Sequence, residues 1–288
     1  SGQRNWFSTS GFLLDFSLYQ RADKALKCSL AGKRWSPEQL SEKLQDGREK
    51  LAVLARPPRR IEPGRYRAYL APSALVELLG LLSWGGFGLR EQRTRRSPLL
   101  RAADGDARFD PRVQLREHVA GGVAPGFGAA GFPRPASIPL IEEGRLVGSL
   151  VSPRSAREYG IPTNGASPSE TPDSLEMAPG ELPSSEILQR LGTGLCVHNL
   201  WYLNYSDRAA CRITGMTRFA TFWVENGEIV APLEVMRFDD CLYRMLGEGL
   251  RELTSAQALI PASDTYGGRS TTSTRLPGAL IDDLVLTL

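Results

Sequence analysis

The chain has 288 residues, 41% hydrophobic and 23% charged, with a formal net charge of +3, an ordinary composition for a globular fold with a substantial core. No apolar run approaches the ~20 residues of a membrane helix, and no signal-peptide pattern opens the chain. The cysteines (Cys28, Cys196, Cys211, Cys241) are far apart and form no CxxC pair, which in a chain this size favours reduced thiols in a cytoplasmic setting over a disulfide framework.

Phe12, Leu14, Phe16 and Leu18 alternate with small or polar residues, the period of a half-buried strand. A start inside a strand suggests a preceding segment. Residues 1–60 are therefore expected to end an N-terminal domain, and 61–288 to form a C-terminal, β-rich one. Ser36 and Pro37 then open a helix with Leu40, Leu44, Leu51 and Leu54 on one face, closed by Pro57 and Pro58. Arg65–Leu70 predicts a strand, followed by a helix, Ser73–Trp84, that Pro72 opens and Gly85, Gly86 and Gly88 stop.

Residues 48–116 hold fifteen Arg or Lys against seven Asp or Glu. Guanidinium groups fork onto phosphate or carboxylate, so a nucleic-acid-binding accessory is one class to weigh. Against it, the segment lacks interleaved aromatics and a recognition helix. Its stretch from Arg90 to Arg112 reads as surface loop and short strand. Residues 121–136 are rich in Gly, Pro and Ala, with no GK[ST], and read as a loop.

Two hairpins follow, Leu140–Leu150 and Trp223–Leu233, the second built on Asn226-Gly227, a strong hairpin signal. Between them lies a Pro/Ser/Glu-rich connector over a short helix, Ser184–Leu191. A short helix in Asp239–Leu253 and two short strands around Pro277 complete the chain. Few helices and many strands predict an α+β fold: a dominant, largely antiparallel sheet or barrel-like domain with peripheral helices.

The stretch "GLCVHNLWYLNYSD", Gly194–Asp207, concentrates reactive side chains in a chain with two histidines. On a strand, Cys196 and His198 share a face. Same-face neighbours lie ~6.5–7 Å apart, too far for the ~3 Å contact of general-base catalysis. His118 is far away in sequence and no third ligand is near, so His198 and Tyr202 read as decoration of a strand that lines a cleft. There is no GxSxG, and the pairs Asp239-Asp240 and Asp282-Asp283 point their side chains apart. The loop Ser263–Ser270 brings together Asp264, Tyr266, Gly267, Gly268, Arg269 and Ser270, a set suited to holding a peptide backbone or carboxylate.

In order, "NWFSTSGF", "LIEEGRLVGSLVSPRSAREYGIPTNGA", "RITGMTRFATFWVENGEIVAPLEVMRFDDCLYRML" and "STRLPGALIDDLVL" resemble the C-terminal part of the TldD/PmbA (TldE) family. The family's Ser/Thr-Thr-Gly-Asn element appears only as "PTNGA", with Gly and Asn exchanged. The resemblance implies two types of member. TldD-type chains carry HExxxH on a helix and a further ligand near the C-terminus, and are metallopeptidases. PmbA/TldE-type chains lack those ligands and pair with TldD in peptide maturation and antitoxin turnover; an older label is modulator of DNA gyrase. By chain order the matching helix is Ser73–Trp84, which has no histidine and one acid, Glu77, and Pro261–Ser270 has neither cysteine nor histidine. The expectation is a PmbA/TldE-like subunit with no catalytic residue, metal or other cofactor. It would have no self-contained activity, and would bind extended peptides beside a TldD-type partner or a second copy of itself. The alternative is the gyrase-modulator type of nucleic-acid accessory.

Overall fold

A computed structural model describes residues 2–266 and 268–288. Alternation at the start of the chain folds back on itself: β1 (Phe12–Arg21) and β2 (Lys24–Gly32) form an antiparallel hairpin, a two-stranded sheet of their own. Then α1 (Pro37–Leu54) begins where the Ser36 hydroxyl accepts the Gln39 N–H at 3.2 Å, with Pro37 in its first turn. It ends before Pro57, because a residue preceding proline is pushed out of helical geometry. Ser36→Ala is expected to cost about 1 kcal/mol by chemical denaturation.

A second, 13-stranded sheet forms the body of the molecule. It contains β3 (Gly64–Leu70), β4 (Leu115–Glu117), β5 (Ile138–Glu142), β6 (Arg145–Leu146), β7 (Ser174–Met177), β8 (Gly194–Val197) and β9 (Trp201–Asp207). The remaining strands are β10 (Arg212–Met216), β11 (Thr221–Glu225), β12 (Glu228–Pro232), β13 (Arg237–Cys241), β14 (Leu250–Pro261) and β15 (Ser273–Leu286). The main path runs β12-β11-β8-β3-β15-β7-β4-β5-β6; β14 and β13 also pair with β15, β10 joins β13, and β9 joins β10. The sheet is open, and among the strand pairs of the described residues β15–β7 and β3–β8 are the parallel ones. The expected α+β, largely antiparallel architecture is the one observed.

The central strands bury both faces. Ala68, Leu70, Leu195, Val197, Ala279 and Ile281 enter one apolar cluster with α2 (Pro72–Ser83), whose Leu75, Leu78, Leu79 and Leu82 are fully buried. The alternate residues Tyr69, Cys196, Phe222 and Leu280 enter a second cluster with Leu26, Cys28 and Leu54 from the N-terminal hairpin and α1. Strands covered on both sides read as continuous apolar runs rather than as alternation.

Several elements differ from the sequence reading. The arginine-rich stretch folds into two short helices, α3 (Leu89–Arg93) and α4 (Leu100–Ala103), with β4 just beyond it. A further helix, α5 (Pro153–Tyr159), is capped by Ser152, whereas α6 (Ile187–Leu191) follows the connector where the short helix Ser184–Leu191 is expected. That connector contains β7, four buried residues wedged between β15 and β4. The helix expected in Asp239–Leu253 is only α7 (Leu242–Met245), since β14 starts at Leu250.

The two strands expected around Pro277 are one, β15, and its neighbours explain the proline. On one side β15 pairs with β14 from Ser273 to Ile281; on the other it pairs with β7 up to Arg275 and with β3 from Ala279. Pro277 sits at that changeover, where no ladder on that side needs its missing N–H. Next to it the Gly278 N–H donates to the Thr254 hydroxyl at 2.7 Å.

Candidate functional site

Helix α2 and the turn after β8 meet at one corner of the sheet. Chain geometry brings them there because β3 and β8 are parallel neighbours, Leu70 beside Val197. The Ser73 hydroxyl at the start of α2 donates to the His198 carbonyl at 2.5 Å. The His198 N–H donates to Ala220 O at 3.0 Å. The main chain of His198 is thus fixed from two directions.

His198 lies just past the end of β8, and freed from the pleat its ring folds back. Nε2 is 3.6 Å from Cys196 Sγ, a contact that regular strand spacing does not allow. Both groups are held neutral. Burial pushes the Cys196 thiol up to about 12, and desolvation, with Lys50 and Lys43 nearby, holds the imidazole well below its ordinary value. A thiolate nucleophile needs the opposite shift, so the pair is a packed polar contact against Phe222, whose ring stands edge-on at 5.9 Å.

Glu77 is exposed on α2, yet its carboxyl is raised by desolvation, with Lys27 acting against that rise. Tyr202 stands 76% exposed at the start of β9, beside Trp201.

A zinc site fits poorly here. With Glu77 at the glutamate of HExxxH, the two histidine positions are Val76 and Leu81, neither of which can ligate a metal. Among the described residues no group of three His, Cys, Asp or Glu is placed to hold an ion. The second histidine, His118, is engaged elsewhere, with Nδ1 2.8 Å from Glu176 Oε2 and Arg116 on the same carboxylate.

The loop Ser263–Ser270 joins β14 to β15 as a hairpin end, not a helix to a strand. Asp264 Oδ1 accepts the Tyr266 N–H at 2.9 Å, Ser270 N–H donates to Asp264 O at 3.1 Å, and Gly268 N–H to Thr265 O at 3.2 Å. Tyr266 is 98% exposed. Arg269 Nη1 donates to Gly11 O at 2.9 Å, so the loop ties down the segment before β1. Gly267 lies outside the described residues. No hydrogen bond or ion pair among the described residues joins this loop to His198 or Tyr202, and the two groups form separate patches.

Several cations of the arginine-rich segment are paired, Arg95 with Asp104, Arg96 with Glu91, Arg112 with Asp110 and Arg116 with Glu176 from β7, which offsets part of its excess of fifteen cations over seven acids. What the sequence reading missed near His198 is the cationic and aromatic company it keeps. Lys27 from β2 and Arg218 from the turn before β11 both stack on Trp201 and Phe219. These residues come from three distant segments, so no local motif announces them.

Comparison with solved structures places the fold. TldE from Thermococcus kodakarensis aligns with TM-score 0.78 at 14% identity, over 96% of this chain and 62% of that one. A proposed modulator of a DNA gyrase from Thermotoga maritima MSB8 aligns with TM-score 0.73 at 19% identity, over 96% and 62%. A proposed modulator of DNA gyrase from Bacteroides thetaiotaomicron VPI-5482 gives 0.68 at 15%, over 96% and 59%. The chain thus spans about three-fifths of the length of these proteins, and at such identities the likeness is one of fold. No curated protein sequence matches the chain. The family model for the PmbA/TldA metallopeptidase C-terminal domain matches residues 63–287, and the chain belongs to that family.

Proposed function

We propose that this chain is the PmbA/TldE-like, metal-free subunit of a TldD-type metallopeptidase complex, acting in the cytoplasm and supplying part of the wall that holds an extended peptide. The observation that carries this reading is α2, which keeps one acid, Glu77, and offers Val76 and Leu81 where a metallopeptidase needs two imidazoles. A peptide-holding role draws support from β9, which among the described residues pairs with β10 alone and whose residues are mostly exposed. Extended peptides add to such edges through main-chain hydrogen bonds.

The test is reconstitution with a TldD-type subunit that carries HExxxH. The two chains are expected to co-elute and to cleave an unfolded peptide only when mixed. About one zinc per chain by elemental analysis of the isolated protein, accompanied by peptidase activity, would overturn the reading. In the same assay Arg269→Ala is expected to lower cleavage while changing the melting temperature little, because the side chain is exposed and its one partner among the described residues is a carbonyl in the segment before β1. Unchanged cleavage would return the loop Ser263–Ser270 to a purely structural turn.

A further inference from the structure

The surroundings of Trp201 contain charge that the fold does not use. Trp201 and Phe219 stand edge to face with centroids 5.6 Å apart. Lys27 Nζ lies 4.9 Å from the Trp201 centroid and 4.5 Å from that of Phe219. Arg218 Cζ lies 5.3 and 5.1 Å from the same two rings. All four distances fall within the ~6 Å reach of cation–π attraction. Two cations therefore share one aromatic pair.

Neither cation has an acid within ion-pairing distance among the described residues. Asp23, which feels the charge of Arg218, pairs with Lys24 at 2.8 Å. Glu77 influences Lys27 from beyond contact distance. Ring faces orient a cation without neutralising it, so the positive charge stays available. It is also reachable, since Lys27 is exposed and Trp201 is 39% exposed. The backbone holds the pair at some strain. Phe219 has φ +73° and Tyr202 φ +56°, left-handed values that bulky side chains avoid.

The cluster stands at the first residue of β9, beside the strand edge that β10 leaves open. We propose that Lys27 and Arg218, framed by Trp201 and Phe219, form a carboxylate clasp that makes this face selective for acidic extended peptides docked along β9. The proposal rests on the reading of this face as a peptide-holding wall and adds the chemical class of peptide. A single-stranded nucleic acid fits less well. Its bases need open ring faces, and here the cations lie against the rings. Its phosphates need a track of cations, whereas the clasp offers two on a single pair of rings.

The test is fluorescence polarisation with short labelled peptides matched in apolar content: one rich in Glu, its Gln counterpart, and the Gln peptide with an amidated C-terminus. Oligothymidylate is the fourth probe. The Glu peptide is expected to bind about tenfold more tightly than the Gln peptide, and added salt should shrink that preference. The double variant Lys27→Gln, Arg218→Gln should lose the preference and keep its affinity for the Gln peptide, with an unchanged circular dichroism spectrum. Weaker binding after amidation would identify the terminal carboxylate as a further occupant of the same clasp. Equal binding of the Glu and Gln peptides to the wild type, or a preference that survives in the double variant, would overturn the clasp and leave the peptide-holding wall standing. If no peptide binds, the clasp and the β9 edge fall together. If oligothymidylate binds more tightly than the Glu peptide, the clasp serves phosphate and the proposal is wrong.

Discussion

Replacing Arg134 by methionine is expected to destabilise the protein by about 3–5 kcal/mol. Glu117, at the end of β4, is completely buried. Its carboxylate accepts Arg134 Nη2 at 2.7 Å, the Ser174 N–H at 3.0 Å and the Asp173 N–H at 3.2 Å. Arg134 is itself nearly buried and also donates to Asp173 at 2.7 Å. Methionine would relieve one cost, because the buried Arg134 Nε–H has no partner among the described residues. It would incur a larger one, leaving a buried carboxylate with no cation. Glu117→Gln combined with Arg134→Met should therefore recover most of the loss, since an uncharged side chain can still accept the Ser174 N–H.

The pH dependence has a definite sign. Burial raises the Glu117 carboxyl above its ordinary value despite the bonds from Ser174 and the charge of Arg134. A raised acid contributes stability that is fully present below the unfolded value and is lost as pH rises through the folded one. Arg134→Met should consequently cost least near pH 4 and most at neutrality. Urea unfolding of the single and double variants at both pH values decides it; a double variant less stable than the single would sink the account. The consequence reaches the candidate site, because Arg134 holds the 121–136 loop against β4 and the chain leading into β7, and the main-chain bond from Ser273 to Asp173 connects this layer to the base of the Ser263–Ser270 hairpin.

How much of this was legible in the sequence depends on whether the signal was local. The Ser36-Pro37 start of α1 needs only the residues beside it. The hairpin at Asn226-Gly227 is equally local; both residues take positive φ, 49° and 82°, as a tight turn with right-handed strand twist requires. Strand β7 could not be seen in that way. Its four residues alternate polar and apolar, Ser174, Leu175, Glu176 and Met177, but the run is too short to stand out among the prolines and serines around it, and its polar residues are buried between β4 and β15 rather than turned to water. Pro277 misled for a related reason. A proline forbids a ladder on its N–H side, but only the exchange of β7 for β3 beside β15 reveals that none is required there.

The same division runs through the candidate site. That α2 carries no histidine is written in its sequence. That His198 reaches back to Cys196 depends on the strand ending at Val197, one residue earlier than a continuous strand would have it. That Lys27 and Arg218 meet over one aromatic pair depends on the N-terminal hairpin packing across the sheet through Leu26 and Cys28, a long-range event with no motif of its own.

Below about pH 6.5 the protein should lose about 1.4 kcal/mol of stability per pH unit through His198 alone, for as long as its native ring remains neutral. Desolvation is the main cause of its depressed pKa, and Lys50 and Lys43 on α1 add to it. The unfolded chain protonates at the ordinary imidazole value while the native one does not, so the unfolded state binds more protons and stability falls as pH falls. Glu117 acts in the opposite sense over part of that range, so the imidazole is isolated by comparing wild type with His198→Leu at each pH. The variant should fold, because the bonds that fix this residue run through its main chain, from Ser73 to its carbonyl and from its N–H to Ala220. Leucine can also rest on Phe222 and Cys196, where the ring now packs. The stability difference should shift in favour of the variant by about 1.4 kcal/mol for each unit of acidification. Equal slopes in wild type and variant would mean that His198 takes up a proton in the folded protein. The corner beside α2 would then carry one more positive charge in mild acid, and the preference for acidic peptides should strengthen there instead of holding constant.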